Sequence, residues 1–280
     1  MNSKNKILFN LSKGILNRNS RFKGIHKGES CYLIGNGASL KYYDLKKFNN
    51  RKIIGCNGLF LHSDFNSLNV DYYYTGHPYL YYPYWRNSYK NKIERNNLGS
   101  LYKRKILQNN DVIYFTSLTN LFGLRGKNIF YFHHFGKQFK SFDSSNLHKY
   151  YLSVSDALGG MLGLAIYMGF SRISLLGCDY AFSPKAIGHF FDYGKFPDVF
   201  DETPNNENIY REAEKFLDLE VVTPNHDYKG HILPDITYRE LTGDDECYKE
   251  NYQIVSKKDL ISLSKINFPY VIFPKNKESH

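Results

Sequence analysis

The sequence predicts an α/β domain with a mainly parallel sheet flanked by helices. Short, near-continuous apolar runs bounded by turn residues alternate with segments of helical pattern, as expected for strands that are covered on both faces. Polar residues with neighbouring glycines follow several of these runs. Since no internal repeat and no Pro- or Gly-rich linker divides the chain, we predict one domain over residues 29–280, preceded by a basic segment over residues 1–28.

Seven runs are predicted to be strands because they are rich in Val, Ile, Leu, Tyr and Phe. They are Cys31–Ile34, Lys52–Cys56, Asp71–Thr75, Asp111–Phe115, Asn128–Phe132, Arg172–Leu176 and Glu220–Thr223. The predicted helices are Leu40–Lys47, Ser88–Ile106, Ala157–Met168 and Asn208–Leu217. Residues 180–207 are rich in Phe, Tyr, Asp, Pro and Asn without periodicity, which predicts a long ordered loop that acts as a lid.

The composition, 42% hydrophobic and 23% charged residues, is typical of a soluble globular enzyme. Four widely separated cysteines favour buried hydrophobes over disulfides or a zinc site, and hence a reducing cytosol. We find no signal-peptide pattern at the start of the sequence. The longest apolar run has 14 residues, whereas a membrane span needs about 20. The expectation is a cytoplasmic chain that does not cross a bilayer.

A net charge of +10 suits an anionic partner: nucleic acid, anionic lipid or a phosphate-bearing substrate. Because most cations are spread along the chain, we expect no nucleic-acid partner. Within residues 1–28, lysines and arginines alternate with apolar residues. This pattern is typical of a basic amphipathic helix on an anionic membrane surface. A helix packed on the domain gives the same pattern.

The first predicted strand stops at the sequence GNGAS, which contains Gly35, Asn36, Gly37 and Ser39. In an open parallel sheet, ligands bind beyond the carboxyl ends of the strands. Glycines let the backbone approach a ligand, and a serine can cap the following helix, whose amino end attracts phosphate. A turn that merely joins a strand to a helix would look the same.

Polar residues also follow the second and third predicted strands. Asn57 comes after the second strand, and His77 comes after the third. An asparagine both donates and accepts hydrogen bonds, which suits a nucleobase or a ribose. Each residue alone could be a turn residue. Three such strand ends in succession predict a shared site.

A longer motif, from Ser153 to Phe182, adds a helix and another strand end. Ser155 or Asp156 can begin the helix, and Gly159 is among the small residues that let it press against the sheet or a ligand. Asp179 follows the buried strand, where it could bind ribose hydroxyls or amine donors. Its alternative role is to cap the next element.

The predicted lid supplies candidates for catalysis. His189 could act as a general base, since histidine needs little pKa shift for this role. The hydroxyls of Tyr180 and Tyr193 could hydrogen-bond a departing phosphate. His133 and His134 form a second candidate, and His226 and His231 flank a turn. Because no D-x-D motif follows a strand and no His/Cys/Glu group has metal-ligand spacing, we expect a reaction without metal or other cofactor.

Taken in order, four motifs resemble a known family. "CYLIGNGASL", "IIGCNG", "GLAIYMGFSRISLLGCDY" and "LEVVTPN" resemble the bacterial sialyltransferases of glycosyltransferase family 42. The resemblance covers about residues 30–226, in these motifs only. Uncharacterised polysaccharide-locus proteins and the pterin-pyrophosphokinase-like proteins of flagellin glycosylation share the first and third motifs. The motifs are therefore specific for a Rossmann-like fold of GT-A type and its nucleotide site, and less so for the substrate.

The resemblance implies roles for individual residues. Asn36 and Ser39 would bind the phosphate and ribose of CMP, Asn57 the donor, and Asp179 the cytidine part. His77 resembles by position an asparagine that helps to hold the donor sugar.

The sequence departs from the family pattern at three places. Ala157 stands where the family has a serine, so Ser155 or Asp156 would substitute for it. The first phosphate-binding tyrosine of the family falls on Ala181, next to Tyr180. His189 comes early in the lid, whereas the base of the family comes late, so its role is assigned without alignment.

These resemblances predict an inverting transferase that moves a sialic-acid-like nonulosonic acid from a CMP donor to a hydroxyl of a bacterial surface glycan. The acceptor would be lipooligosaccharide, capsule or O-antigen, and the basic amino-terminal segment would hold the enzyme at the inner face of the cytoplasmic membrane. The alternatives are a pyrophosphokinase-like phosphotransferase and a non-catalytic accessory protein of glycan biosynthesis. The oligomeric state is left open, with a homo-oligomer compatible with the sequence.

Overall fold

The computed structural model describes residues 3–78, 80–81, 92–133, 141–142, 146–149, 156–183, 188–191 and 207–249, and of residues 3–9, 92–98 and 100 it describes the backbone alone. Most of the predicted lid, together with Ser155, Tyr193 and His134, lies outside these residues. Among the helices in the described ranges, none has the length and hydropathy that crossing a bilayer requires.

Eight parallel strands form one sheet. They are β1 (Ser30–Ile34), β2 (Lys52–Cys56), β3 (Tyr72–Thr75), β4 (Ile113–Ser117), β5 (Ile129–Phe132), β6 (Arg172–Leu176), β8 (Asp218–Thr223) and β10 (Asp235–Thr237), while β7 (Phe182–Ser183) and β9 (Lys229–Gly230) form a separate antiparallel pair. The order across the sheet is β10-β8-β6-β1-β2-β3-β4-β5. The helices are α1 (Ser3–Asn17), α2 (Lys92–Gln108), α3 (Ala157–Met168), α4 (Glu207–Ala213) and α5 (Tyr238–Thr242). The prediction of a mainly parallel α/β sheet is confirmed.

Both faces of the sheet are buried, because alternate side chains of a strand point to opposite sides. In β1, Cys31 and Leu33 enter one core layer, and Tyr32 and Ile34 enter the other. Helix α3 packs in the first layer, whereas α2 and the short turns after β1 and β2 pack in the second. Two covered faces explain why the strands read as continuous apolar runs.

Helix α3 has the predicted bounds because both of its ends are encoded locally. Asp156 accepts a hydrogen bond from the Gly159 backbone N–H at 2.8 Å and caps the amino end. Gly169, at φ +88°, ends the helix in the left-handed conformation that glycine favours. Gly160 is required for packing, since a Cβ there would lie 2.2 Å from Cζ of Tyr74.

The predicted helix Leu40–Lys47 is wrong. Two short 3-10 helices, Ala38–Tyr42 and Leu45–Phe48, occupy this stretch. Asp44 separates them in an extended conformation, and its carboxylate accepts a hydrogen bond from the Lys46 N–H at 3.3 Å. A short acidic side chain that bonds the nearby backbone competes with helix formation.

The amino-terminal segment packs on the sheet, which was the second of the two interpretations of its pattern. Leu16, Phe22 and His26 are buried along one side of it. The Asn19 side-chain amide donates to the backbone carbonyls of Tyr131 at 2.7 Å and Leu147 at 2.8 Å. The segment thereby covers the edge of the sheet at β5, and its buried side chains are committed to this contact.

Candidate functional site

The carboxyl ends of β1, β2 and β6 open into a cavity of about 380 Å³. It lies at the point where the strand order reverses, because the chain runs outward from β1 to β5 and then returns to place β6 on the other side of β1. Ligands bind at this switch point in open parallel sheets. Its lining residues are Gly35, Asn36, Gly37, Cys56, Asn57, Asp156, Ala157, Leu158, Met161, Gly177, Cys178, Asp179, Tyr180, Gly188 and His189.

Most of the predicted site residues that the structure describes meet at this cavity. Those that line it are Gly35, Asn36, Gly37, Asn57, Asp156, Asp179, Tyr180 and His189. Gly159, Ser39 and His77 do not line it. Ser155 and Tyr193 lie outside the described residues.

The two glycines of the first motif allow its loop to pack closely against the loop that follows β6. The N–H groups of Gly35 and Gly37 donate to the carbonyls of Leu176 and Gly177, each at 2.8 Å. A Cβ on Gly35 would lie 2.3 Å from the Gly177 carbonyl oxygen, and one on Gly37 would lie 2.4 Å from the Asp179 carboxyl carbon. The loops after β1 and β6 are therefore joined closely, and only glycine fits at these two positions.

Asp179 is held by Ser39. Its carboxylate accepts hydrogen bonds from the Ser39 N–H at 2.9 Å and the Ser39 hydroxyl at 2.5 Å. Burial raises the pKa of Asp179 to about 6, although the bonds from Ser39 and the nearby His189 oppose this rise. Ser39 is fully buried inside the 3-10 helix Ala38–Tyr42, whose capping position is Gly37, so Ser39 does not occupy the predicted capping position. The hydroxyl of Ser39 thus bonds Asp179 in this structure, and its binding of the phosphate and ribose of CMP stays a prediction.

Two asparagines present amide oxygens at the cavity. The side-chain oxygens of Asn36 and Asn57 are buried and have no hydrogen-bond partner among the described residues. The Asn36 amide nitrogen donates to the Cys56 carbonyl at 3.2 Å, which fixes its orientation. Such oxygens can accept from the hydroxyl or amine of a ligand, since buried acceptors are normally satisfied.

Asn57 has an unusual backbone conformation. At φ +45° it is the non-glycine residue of the described chain with positive φ. Its carbonyl accepts from the Tyr73 hydroxyl at 2.8 Å, and its N–H donates to the Tyr74 carbonyl at 3.2 Å. Surrounding contacts therefore maintain a conformation that costs an asparagine free energy, and such residues concentrate at binding and catalytic sites.

His189 is brought to the cavity by the backbone of the first motif. Gly37 and His189 form an antiparallel β-bridge, and the Phe190 N–H donates to the Asn36 carbonyl at 3.0 Å. The His189 ring stacks on Phe191 with centroids 4.8 Å apart. A histidine from the predicted lid thus lies beside the Asp179 loop, and Tyr180, which is 45% exposed, lies on the same lining.

The other histidines lie elsewhere. His77 follows β3, which is two strands away from β1, and it does not line the cavity. Burial lowers the pKa of His77. His133 follows the edge strand β5, and His231 bonds Glu207 at 2.8 Å. His77 therefore does not line the cavity with the other strand-end residues, because the sequence did not reveal the lateral order of the strands, and its contact with the donor sugar stays a prediction.

Sequence reasoning missed Cys56 and Cys178 as lining residues. Both stand at strand ends, beside the predicted Asn57 and Asp179, so the same positional argument could have found them. Burial raises the pKa of Cys56 to about 12 and that of Cys178 well above its ordinary value. Both thiols are therefore neutral, and they give this part of the cavity a weakly polar wall. In the described ranges, no group of three or more His, Cys, Asp or Glu side chains could hold a metal ion.

The parallel sheet with helices on both faces and a cavity at its switch point defines an α/β protein of Rossmann-like architecture. No family model and no curated protein matches the sequence. Solved structures do match. One is the sialyltransferase CstII from Campylobacter jejuni with the substrate analogue CMP-3FNeuAc, at 18% identity and a TM-score of 0.43, covering 85% of this chain and 99% of that chain.

Two further structures match to the same degree. The sialyltransferase CST-II in complex with a trisaccharide acceptor and CMP has 18% identity and a TM-score of 0.43, with 85% of this chain and 100% of that chain covered. The Campylobacter jejuni CstII complex with cytidine-5′-monophosphate has the same identity and TM-score, with 86% and 99% covered. The chain is thus similar to sialyltransferases, the class of enzyme that its motifs resemble.

Proposed function

We propose that this chain is a metal-independent, inverting glycosyltransferase that moves a sialic-acid-like nonulosonic acid from a CMP donor to a hydroxyl of a bacterial surface glycan. One observation carries the proposal. The first three of the four motifs that resemble the sialyltransferase family converge on one cavity at the switch point of the sheet, although up to about 140 residues of sequence separate them.

The cavity offers side chains suited to the donor. The amide oxygens of Asn36 and Asn57 can accept from ribose or sugar hydroxyls, or from the exocyclic amine of cytosine. The neutral thiols of Cys56 and Cys178 leave an uncharged wall against which a ring can lie. Asp156, at the start of α3, offers a further acceptor beside its capping bond.

His189 would be the general base. It would take the proton of the acceptor hydroxyl as that oxygen forms a bond to the anomeric carbon, while the bond from this carbon to the CMP phosphate breaks. Attack from the side opposite to CMP inverts the configuration of the sugar. Tyr180, half-exposed at the cavity, would donate its hydroxyl hydrogen to the departing phosphate.

The experiment incubates the full chain with CMP-sialic acid and related CMP-nonulosonates and measures CMP release with and without a glycan acceptor. We expect turnover that EDTA does not abolish. Turnover of a UDP- or GDP-sugar, together with no activity toward any CMP donor, would contradict the proposed donor class. Activity that requires ATP and magnesium would favour the phosphotransferase, and no thermal shift with any nucleotide would favour an accessory protein.

A pair of histidine variants tests the base. His189→Ala should lower the rate of transfer by about 10²–10⁴, the usual contribution of a general base. His226→Ala is the matched control, since His226 is exposed and lies away from the cavity. Equal rates for both variants would exclude His189 as the base.

A further inference from the structure

His189 reaches the cavity on a short segment whose backbone is held by the first motif. Gly37 and His189 form an antiparallel bridge, and the N–H of Phe190 donates to the Asn36 carbonyl at 3.0 Å. These contacts determine where the Cα of His189 lies. They leave the rotation about the two side-chain bonds of His189 open, so the imidazole ring needs further contacts to keep one orientation.

Phe190 anchors this segment in the core. Its side chain is fully buried in the second core layer, and its ring centroid lies 5.1 Å from that of His62. Burial lowers the pKa of His62 to about 4, so the His62 ring is neutral and packs as an uncharged partner. Because a fully buried aromatic side chain is closely packed on all sides, Phe190 holds its two neighbours in place against the sheet.

Phe191 covers one face of the His189 ring. The two rings are stacked with centroids 4.8 Å apart and planes 18° apart. Phe190 supports Phe191 in turn, because their rings meet edge to face with centroids 5.1 Å apart. Contacts between aromatic rings depend on their mutual orientation. The orientation of the His189 ring is therefore restrained by a ring that is itself restrained.

The ring of Phe191 also lies close to the loop that follows β2. A Cβ built on Gly58 would lie 3.2 Å from Cε1 of Phe191 and 3.3 Å from Oδ1 of Asn36. Phe191 is half-buried and packs against the second core layer, but it does not line the cavity. Phe191 thus stands at the margin of the cavity, where it touches His189 from behind the lining.

We propose that Phe191 is a positioning residue for sugar transfer: by stacking on His189 it fixes the direction in which the imidazole nitrogens meet the acceptor hydroxyl. The inference rests on the proposed role of His189 as the general base. Because Phe191 does not line the cavity, its effect passes through the His189 ring and not through contact with the donor. A catalytic group that is misplaced by about 1 Å can lose about 10²-fold in rate, while the binding of the donor stays the same.

The first test compares Phe191→Leu with Phe191→Tyr in the transfer assay. Leucine removes the aromatic ring and keeps an apolar side chain, whereas tyrosine keeps the ring. For Phe191→Leu we expect kcat to fall by about 10- to 100-fold, with the KM for the CMP donor and the thermal shift with CMP unchanged. Phe191→Tyr should restore kcat. Phe216→Leu is the matched control, since Phe216 is 39% exposed and does not line the cavity.

The second test needs no enzymatic activity. A stacked aromatic ring displaces the NMR signals of the protons that it covers, so the ring protons of His189 report the contact with Phe191. In protein isotopically labelled at histidine, the signal of His189 is identified by its loss in His189→Ala. We expect this signal to move in Phe191→Leu and to keep its position in Phe191→Tyr and Phe216→Leu.

Each result decides a different part of the inference. An unmoved His189 signal in Phe191→Leu would overturn the contact, and a moved signal with unchanged kcat would overturn the positioning role. A loss of CMP binding as large as the loss of rate would assign Phe191 to donor binding instead, and an equal loss of rate in Phe216→Leu would reveal a general effect on the fold; both would overturn the inference. If the parent protein transfers no sugar from any donor, the proposed function fails, whereas the His189 signal still decides whether Phe191 fixes the ring.

Discussion

Replacing Asp179 by asparagine should change how the stability of the protein depends on pH. The carboxylate lies in the core of the loop contact, where it accepts two hydrogen bonds from Ser39 and faces Gly37. Asparagine has the same shape but presents N–H groups to one of these donors. The free energy of unfolding should fall by about 1–3 kcal/mol, the cost of a buried polar group left without its partner.

The pH dependence follows from the raised pKa. Because burial raises the pKa of Asp179 from 3.8 to about 6 in the folded chain, the folded state holds this proton more tightly than the unfolded state. The contribution of the protonated Asp179 carboxyl to stability is thus fully present below about pH 4 and is lost as the pH rises through 6. Between pH 5 and pH 8 the loss amounts to about 1.4 kcal/mol. The asparagine of Asp179→Asn does not titrate, so its free energy of unfolding does not change with this group. The difference in free energy of unfolding between the parent and Asp179→Asn should therefore be about 1.4 kcal/mol larger at pH 5 than at pH 8.

Urea unfolding of the parent and of Asp179→Asn at both pH values measures this difference directly, because the contributions of all other titrating groups are the same in the two proteins and cancel. Ser39→Ala is an opposing control. It removes a bond that lowers the pKa of Asp179, so the stability of Ser39→Ala should depend on pH more steeply than that of the parent. Parallel stability profiles for the parent and Asp179→Asn would refute the reasoning that Asp179 titrates near pH 6.

Two further predictions concern backbone positions: one compares Gly160 in α3 with Gly14 in α1, and the other concerns Asn57 in the cavity lining. Gly160→Ala should destabilise the fold by about 1–3 kcal/mol, because its Cβ would lie 2.2 Å from Tyr74. A Cβ added at Gly14 would meet no atom within 4 Å, so Gly14→Ala should instead stabilise α1 by about 0.5–1 kcal/mol. Urea unfolding measures both variants, and a change of the same sign in their free energies of unfolding would contradict the packing argument. Asn57→Gly should raise stability by about 1 kcal/mol and abolish the thermal shift with CMP; a retained shift would show that the Asn57 side chain does not bind the donor.

The strands could be predicted because burial on both faces leaves a direct trace in the sequence. All seven predicted strands form, each with bounds within two residues of those predicted, including Lys52–Cys56 and Arg172–Leu176 without change. The short strand Asp235–Thr237 was missed because it has no apolar run. Lateral order leaves no such trace, so nothing in the sequence indicated that β6 returns beside β1.

The site was predictable as far as one edge of the sheet and no further. Asn36, Asn57 and Asp179 meet because their strands are neighbours around β1. His77 satisfied the same rule but follows a strand too far along the sheet. The bond between Ser39 and Asp179 was not foreseen either, since the two residues lie 140 positions apart in sequence. A contact at that distance cannot be read from local pattern.

The hydrogen bonds of the first motif decide how a ligand can be recognised at this cavity. A glycine-rich loop that cradles a phosphate does so with free backbone N–H groups. Here the N–H groups of Gly35, Gly37 and Ser39 are already used by Leu176, Gly177 and Asp179. The loop is therefore fixed in shape by its neighbour before any ligand arrives. Recognition must come from side chains on that fixed frame, which makes substitutions at Asn36 and His189 the ones that separate binding and catalysis from folding.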